Sequence, residues 1–264
     1  VKFFKRINLA LKLGVIIYPP EISGGFFLTR LSISMSVSLL PTFAYKIIKM
    51  QNKTTYYQFV LDVSGSMSNC RHETLQNLNL HLKTIQNLQK EFSEQIFKVS
   101  LTLFNTRLHQ KWAYKSPLDL EPLTLVEYVP DGSTALLDAI GTQIHEIQHK
   151  FGEQLASDEA TAVMVILTDG EENSSRFYDF PFISKTIKEL EKTGKWTFSF
   201  LGTDIDAFHV GEMLNIKKGN TMQFNKMEMN KTFSQVDHSL KNYFHNKQSG
   251  NYEQDFLHPT DENI

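Results

Sequence analysis

The run Tyr56-Tyr57-Gln58-Phe59-Val60-Leu61-Asp62-Val63-Ser64-Gly65-Ser66-Met67-Ser68 decides how this chain folds. Its first six residues are almost all apolar, the pattern of a central strand buried on both faces. A helical pattern begins near Arg71, where Leu75, Leu78, Leu82, Ile85, Leu88 and Phe92 recur at spacings of three and four. Between strand and helix stand the carboxylate of Asp62 and the hydroxyls of Ser64 and Ser66, at alternate positions around Gly65. In an open α/β sheet, ligands bind outside the carboxyl ends of the strands. Carboxylate and hydroxyl oxygens there suit a hard cation such as Mg²⁺ better than thiolates or imidazoles do.

Downstream, the pattern stays regular. Residues 95–104 read as a second strand, and 108–114 as an edge strand paired with it through a turn at Asn105-Thr106. Residues 118–129 read as a loop with a short helix, broken by Pro117, Pro122 and Pro130. Asp131-Gly132-Ser133-Thr134 then opens a helix carrying Leu136, Leu137, Ile140, Ile144 and Ile147. Gly132 permits a tight turn there, and Ser133 or Thr134 is expected to cap the helix. Residues 161–167 form the most β-branched strand and end at Thr168-Asp169-Gly170. A helix over 180–190 closed by Gly194, a strand over 196–201, a short helix over 206–214, a short strand over 221–224 and a last helix over 229–244 follow. This alternation predicts an α/β fold: a doubly wound, mostly parallel central sheet with one antiparallel edge strand and helices on both faces.

Residues 1–49 differ. They are basic, and their short apolar runs are broken by Pro19-Pro20, Gly24-Gly25 and Arg30. The longest soft run, 31–45, is serine-rich and shorter than the roughly 20 apolar residues of a membrane span, so no span is expected. Read as a signal segment, it would place a cleavage point near Phe43-Ala44. Met50, followed by polar residues and then the first strand, makes a natural start for the folded part, with the upstream stretch as an over-extended reading frame. The expected organisation is an extension at 1–49 outside the fold, one domain at 50–246 and a polar, frayed tail at 247–264.

Composition narrows the function. With 264 residues, 41% hydrophobic and 21% charged, the chain can bury one good-sized core. A net charge of −2 gives no reason to expect nucleic acid or an anionic membrane as partner. Cys70 is the sole cysteine, so no internal disulfide forms. That fits a cytoplasmic protein, with secretion or membrane anchoring as the alternative if 1–49 is a signal segment.

Three strand or loop ends thus converge: Asp62-Val63-Ser64-Gly65-Ser66, Asp131-Gly132-Ser133-Thr134 and Thr168-Asp169-Gly170. Singly, each reads as a turn or a helix cap. Together, in this order and on this pattern, they resemble the von Willebrand factor type A (VWA) domain family over about residues 55–245. The resemblance is strongest to stand-alone bacterial members, through Thr-Ala-Leu-Leu-Asp-Ala-Ile at 134–140, Leu-Thr-Asp-Gly-Glu-Glu-Asn at 167–173 and Phe-Leu-Gly-Thr-Asp-Ile-Asp-Ala-Phe at 200–208. It implies a Rossmann-like VWA fold with a metal-ion-dependent adhesion site formed by Asp62, Ser64, Ser66, Thr134 and Asp169. The implied ion is Mg²⁺, with Mn²⁺ as an alternative. The implied partner is a protein offering an Asp or Glu carboxylate.

An enzyme is the competing reading, for instance a metal-dependent phosphoesterase using Asp62. An aspartyl-phosphate enzyme would carry a second aspartate two positions on, where this chain has Ser64. No Gly-rich phosphate cradle with lysine is present, and the glycines around Ser66 do not make a nucleophile elbow. Asp131 and Glu171 flank the site as water-orienting or solvated residues, and Asp138 reads as a helix-start or packing residue. His145 and His149 read as an exposed helix face, Cys70 as packing, and Phe177, Phe180 and Phe182 as core.

Overall fold

The computed structural model describes residues 54–203, 206–248 and 256–257, and the extension at 1–49 lies outside them. Strand β1 (Thr54–Asp62) leads through a 3-10 segment (Gly65–Cys70) into α1 (Arg71–Glu91), followed by β2 (Ile96–Phe104) and β3 (Leu108–Lys115). Then come α2 (Leu136–Ala156), β4 (Ala160–Thr168), α3 (Phe180–Lys192), β5 (Trp196–Gly202), α4 (Ala207–Met213), β6 (Thr221–Gln223) and α5 (Met229–Gln248). The sheet order is β3-β2-β1-β4-β5-β6, parallel except for the antiparallel pair β2–β3.

β1 is central because its side chains are buried on both faces from Thr55 to Asp62. Tyr57, Phe59 and Leu61 pack on the face covered by α1 and α5, with Leu78, Leu82, Phe233 and Leu240. Tyr56 and Val60 pack on the opposite face under α2, α3 and α4, with Ile140, Ile144, Ile183 and Ala207. Truncating a buried Phe of this kind to Ala costs about 3–5 kcal/mol. Polar Gln58 is tolerated mid-strand because Thr102 Oγ1 accepts from its amide at 3.1 Å and the Tyr114 hydroxyl donates to its carbonyl at 2.9 Å.

The chain runs from β1 outward to β2 on one side and returns to place β4 on the other. The carboxyl ends of β1 and β4 therefore flank the point where the winding reverses, which is where such sheets bind ligands. Asp62 ends β1, and Asp169 directly follows β4.

Three expectations need correction. The helix after Thr134 begins at Leu136 with Ala135 as N-cap, and neither Ser133 nor Thr134 caps it. Phe177 is 83% exposed and Phe182 is exposed too, while Phe180 is half-buried against the core. Residues beyond 246 include buried side chains: Lys247 donates to Thr55 Oγ1, and Phe256 and Leu257 join the core beneath α5. A lysine stem with a hydroxyl acceptor at its tip can be buried, which hydropathy alone does not anticipate. Among the described residues no helix is long and apolar enough to cross a membrane.

Candidate metal centre

The turn after β1 is built by its own hydrogen bonds. Asp62 is fully buried, and one carboxylate oxygen accepts from the Ser64 backbone N–H at 2.6 Å. Its other oxygen accepts from the Thr168 hydroxyl at 2.6 Å, which ties the ends of β1 and β4 together. The Tyr128 hydroxyl donates to the Asp62 carbonyl at 3.0 Å. The Met67 N–H then bonds the Ser64 carbonyl at 3.1 Å, starting the 3-10 segment and turning Ser64 and Ser66 toward β4.

Ser64 Oγ and Ser66 Oγ lie 2.9 Å apart, and Ser66 Oγ donates to Asp169 Oδ1 at 2.5 Å. Asp169 Oδ2 is buried without a hydrogen-bond donor. It nonetheless lies 2.7 Å from the ammonium of Lys226, an ion pair lacking hydrogen-bond geometry.

Thr134 arrives from the loop ahead of α2. That loop is fixed to the β1 turn by Asp131 N–H to the Val63 carbonyl at 2.9 Å and Gly65 N–H to the Gly132 carbonyl at 3.0 Å. Gly132 has a φ of +73°, the left-handed region that glycine enters without strain. Thr134 is held by its backbone: its N–H bonds Asn173 Oδ1 at 2.9 Å, and its carbonyl accepts from Asn173 N–H at 3.1 Å. The first N–H groups of α2 are met from elsewhere, Leu137 by Glu172 Oε2 at 2.9 Å and Asp138 by Ser175 Oγ at 3.0 Å. This relieves the Thr134 hydroxyl of capping. A Cβ placed on Gly170 would fall 2.8 Å from Thr134 Oγ1 and 3.5 Å from Ser66 Oγ, so these two hydroxyls converge beside that glycine.

Asp62, Ser64, Ser66 and Asp169 thus form one hydrogen-bonded group, with Thr134 brought against its edge at Gly170. Every donor atom is an oxygen, two residues carry charge, and one carboxylate oxygen is buried with only an ammonium beside it. Such a set fits a hard divalent cation. Burial pushes the Asp62 carboxyl up to about 6, with the charge of Asp169 adding to the rise and the Thr168 and Ser64 hydrogen bonds opposing it. A nearby cation favours the ionised form of such a group. Among the described residues no cluster of three or more His, Cys, Asp or Glu side chains could hold a metal, so the hydroxyls are essential to this donor set.

The neighbours behave unevenly. Asp131 and Glu171 are exposed at the rim. Asp138 is buried and accepts from the backbone N–H groups of Arg176, Phe177 and Tyr178 at 2.8, 2.9 and 3.0 Å, a packing role. His145 and His149 stand on an exposed face, and Cys70 is buried. Tyr128 and Lys226 were not singled out from the sequence, and Thr168, Glu172 and Asn173 stood in the quoted stretches without a role of their own. Thr168 adjoins the motif and was within reach of it, whereas Lys226 lies far along the chain with no pattern to mark it.

This fold and this cluster define a doubly wound α/β domain with oxygen donors at the switch point of its sheet. The family model for the von Willebrand factor type A domain matches residues 58–249, and the chain belongs to that family. VWA domains are in general protein-interaction modules without catalytic activity, and many bind a divalent metal. The vWF domain of the type V pili tip protein Mfa5 from Porphyromonas gingivalis has the same fold. Its TM-score is 0.53 at 8% identity, over 73% of this chain and 97% of that one. Proximal thread matrix protein 1 from the mussel byssus, solved with a zinc-occupied MIDAS motif, gives a TM-score of 0.48 at 18% identity over 72% of this chain. The ArnB paralog VWA2 from Sulfolobus acidocaldarius gives 0.45 at 16% identity over 71%. The chain spans a little under half the length of the mussel and archaeal proteins, at 46% and 45%. No curated protein sequence matches it.

Proposed function

We propose that this domain binds a protein partner through Mg²⁺ held by Asp62, Ser64, Ser66, Thr134 and Asp169. The observation that carries the reading is the convergence of hydroxyls and buried carboxylates from three separate segments on one corner of the sheet. Ser64, Ser66 and Thr134 offer neutral oxygens, while Asp62 and Asp169 supply negative charge from behind them. Mg²⁺ prefers six oxygens and keeps waters readily, so at such a centre it offers an open position to an incoming carboxylate. With few direct anionic ligands, the cation keeps its pull on an Asp or Glu side chain of the partner.

Asp62 is a poor candidate for a phosphoryl nucleophile, because both its oxygens accept hydrogen bonds and it has no exposed surface. Neither core nor site uses a disulfide, since Cys70 is buried and alone. The fold therefore does not depend on an oxidising compartment.

Selection of a displayed random-peptide library on the immobilised domain tests this reading. In millimolar Mg²⁺ the enriched peptides should share an Asp or Glu, and enrichment should vanish in EDTA or on the Asp169→Ala domain. Peptides retained equally in EDTA and without an acidic residue would contradict it.

A further inference from the structure

Lys226 reaches the centre from the turn after β6, at the same carboxyl edge of the parallel sheet. It opens the 3-10 segment Lys226–Glu228 between β6 and α5. Its ammonium lies 2.7 Å from Asp169 Oδ2 and donates to the Ser66 carbonyl at 3.4 Å, so it touches two of the five residues assigned above to the cation. The side chain is 18% exposed, and that of Asp169 is fully buried. Solvent screening between two such groups is weak compared with a surface pair.

The approach is built into the local backbone. Asn225 caps the segment, its side chain accepting from the Met227 N–H at 2.9 Å and its carbonyl from the Glu228 N–H at 2.8 Å. This turn sends Lys226 inward and leaves Met227 outside, 89% exposed.

Two carboxylates close to one another in a buried corner repel, and a positive charge beside them relieves that repulsion. Lys226 supplies such a charge from within the chain. A divalent ion in the same corner would be drawn by the same Asp169 carboxylate and repelled by the same ammonium. We propose that Lys226 is a tethered counter-cation that competes with the divalent ion for Asp169 and thereby sets the metal concentration at which the site loads. This rests on the metal reading given above. It assigns to one lysine, outside the five-residue set, control over cation affinity.

Calorimetric titration of the full chain with Mg²⁺, repeated with Mn²⁺, tests the assignment on wild type, Lys226→Gln, Lys226→Met and Lys226→Arg. Removing a unit positive charge at this distance should tighten metal binding about tenfold or more in both neutral variants. Lys226→Arg, which keeps the charge, should stay within about threefold of wild type. Circular dichroism confirms that each variant is folded. Neutral variants that bind the metal no more tightly than wild type, or an Arg variant that tightens as much as they do, would overturn the role of Lys226 and leave the metal reading intact. Absence of Mg²⁺ and Mn²⁺ binding in wild type and in both neutral variants would overturn both.

Discussion

Two pairs of acidic side chains stand along the same edge of this sheet and differ in what meets them. Asp138 and Glu172 are saturated with donors. Asp138 takes three consecutive backbone N–H groups, and Glu172 takes the N–H groups of Leu137, Ser174 and Ser175 together with the Ser175 hydroxyl. Asp62 and Asp169 are buried at least as deeply as Asp138 and more deeply than Glu172, yet Asp62 accepts one backbone N–H and the Thr168 hydroxyl, and Asp169 meets a serine hydroxyl and an ammonium. A carboxylate whose oxygens are filled by N–H groups fixes the chain around it. A buried carboxylate with fewer donors keeps negative charge that a cation can use. The first pair shapes the loop that holds Thr134, and the second faces the corner where the hydroxyls gather.

The contrast is sharpest at Asp138. Asp138→Ala removes a buried charged acceptor from three part-buried backbone N–H groups and should lower unfolding free energy by about 3 kcal/mol. Urea denaturation should give that loss equally with Mg²⁺ and with EDTA. A variant that loses stability only in Mg²⁺ would put Asp138 in the wrong pair. Asp169→Ala should behave in the opposite way, with a small change in EDTA and loss of the metal-dependent gain. That gain is about 2.7 kcal/mol for wild type when the free ion stands at a hundred times its Kd.

Gly170→Ala tests the meeting point of the two groups. The new methyl would press on Thr134 Oγ1 and approach Ser66 Oγ, so Mg²⁺ affinity should fall about tenfold, or roughly 1.4 kcal/mol. Unchanged affinity in calorimetry would remove Thr134 from the set. The smallest effect is expected from Glu172→Gln, which keeps one good acceptor and should cost about 1 kcal/mol with little change in metal affinity. A large loss of metal binding there would erase the distinction between the two pairs.

Much of the fold was legible because its signals are local. β1 and β4 are apolar on both faces, α1 carries its core residues at helical spacing, and the Asp62–Ser66 motif sits where a buried strand meets a helix. The capping of α2 was not legible, because its donors are met by Glu172 and Ser175, more than thirty residues away in sequence. A serine or threonine before a helix is ordinarily its cap, and only tertiary contacts relieve Thr134 of that duty. Phe177 was misplaced for a similar reason: Asp138 binds its backbone N–H and leaves its ring outside. Lys226 left no sequence trace, since one lysine in a polar turn looks like any other until the fold sets it on Asp169. The same holds for buried His81, which links Tyr57 on β1 to Asp237 on α5.

Thermal denaturation of wild type and Asp169→Ala, each in EDTA and in millimolar Mg²⁺, tests the central claim most directly. The account predicts that Mg²⁺ raises the wild-type Tm by several degrees and leaves the variant where it was in EDTA. A wild-type Tm that does not move with Mg²⁺, or a rise that Asp169→Ala fully retains, would contradict it.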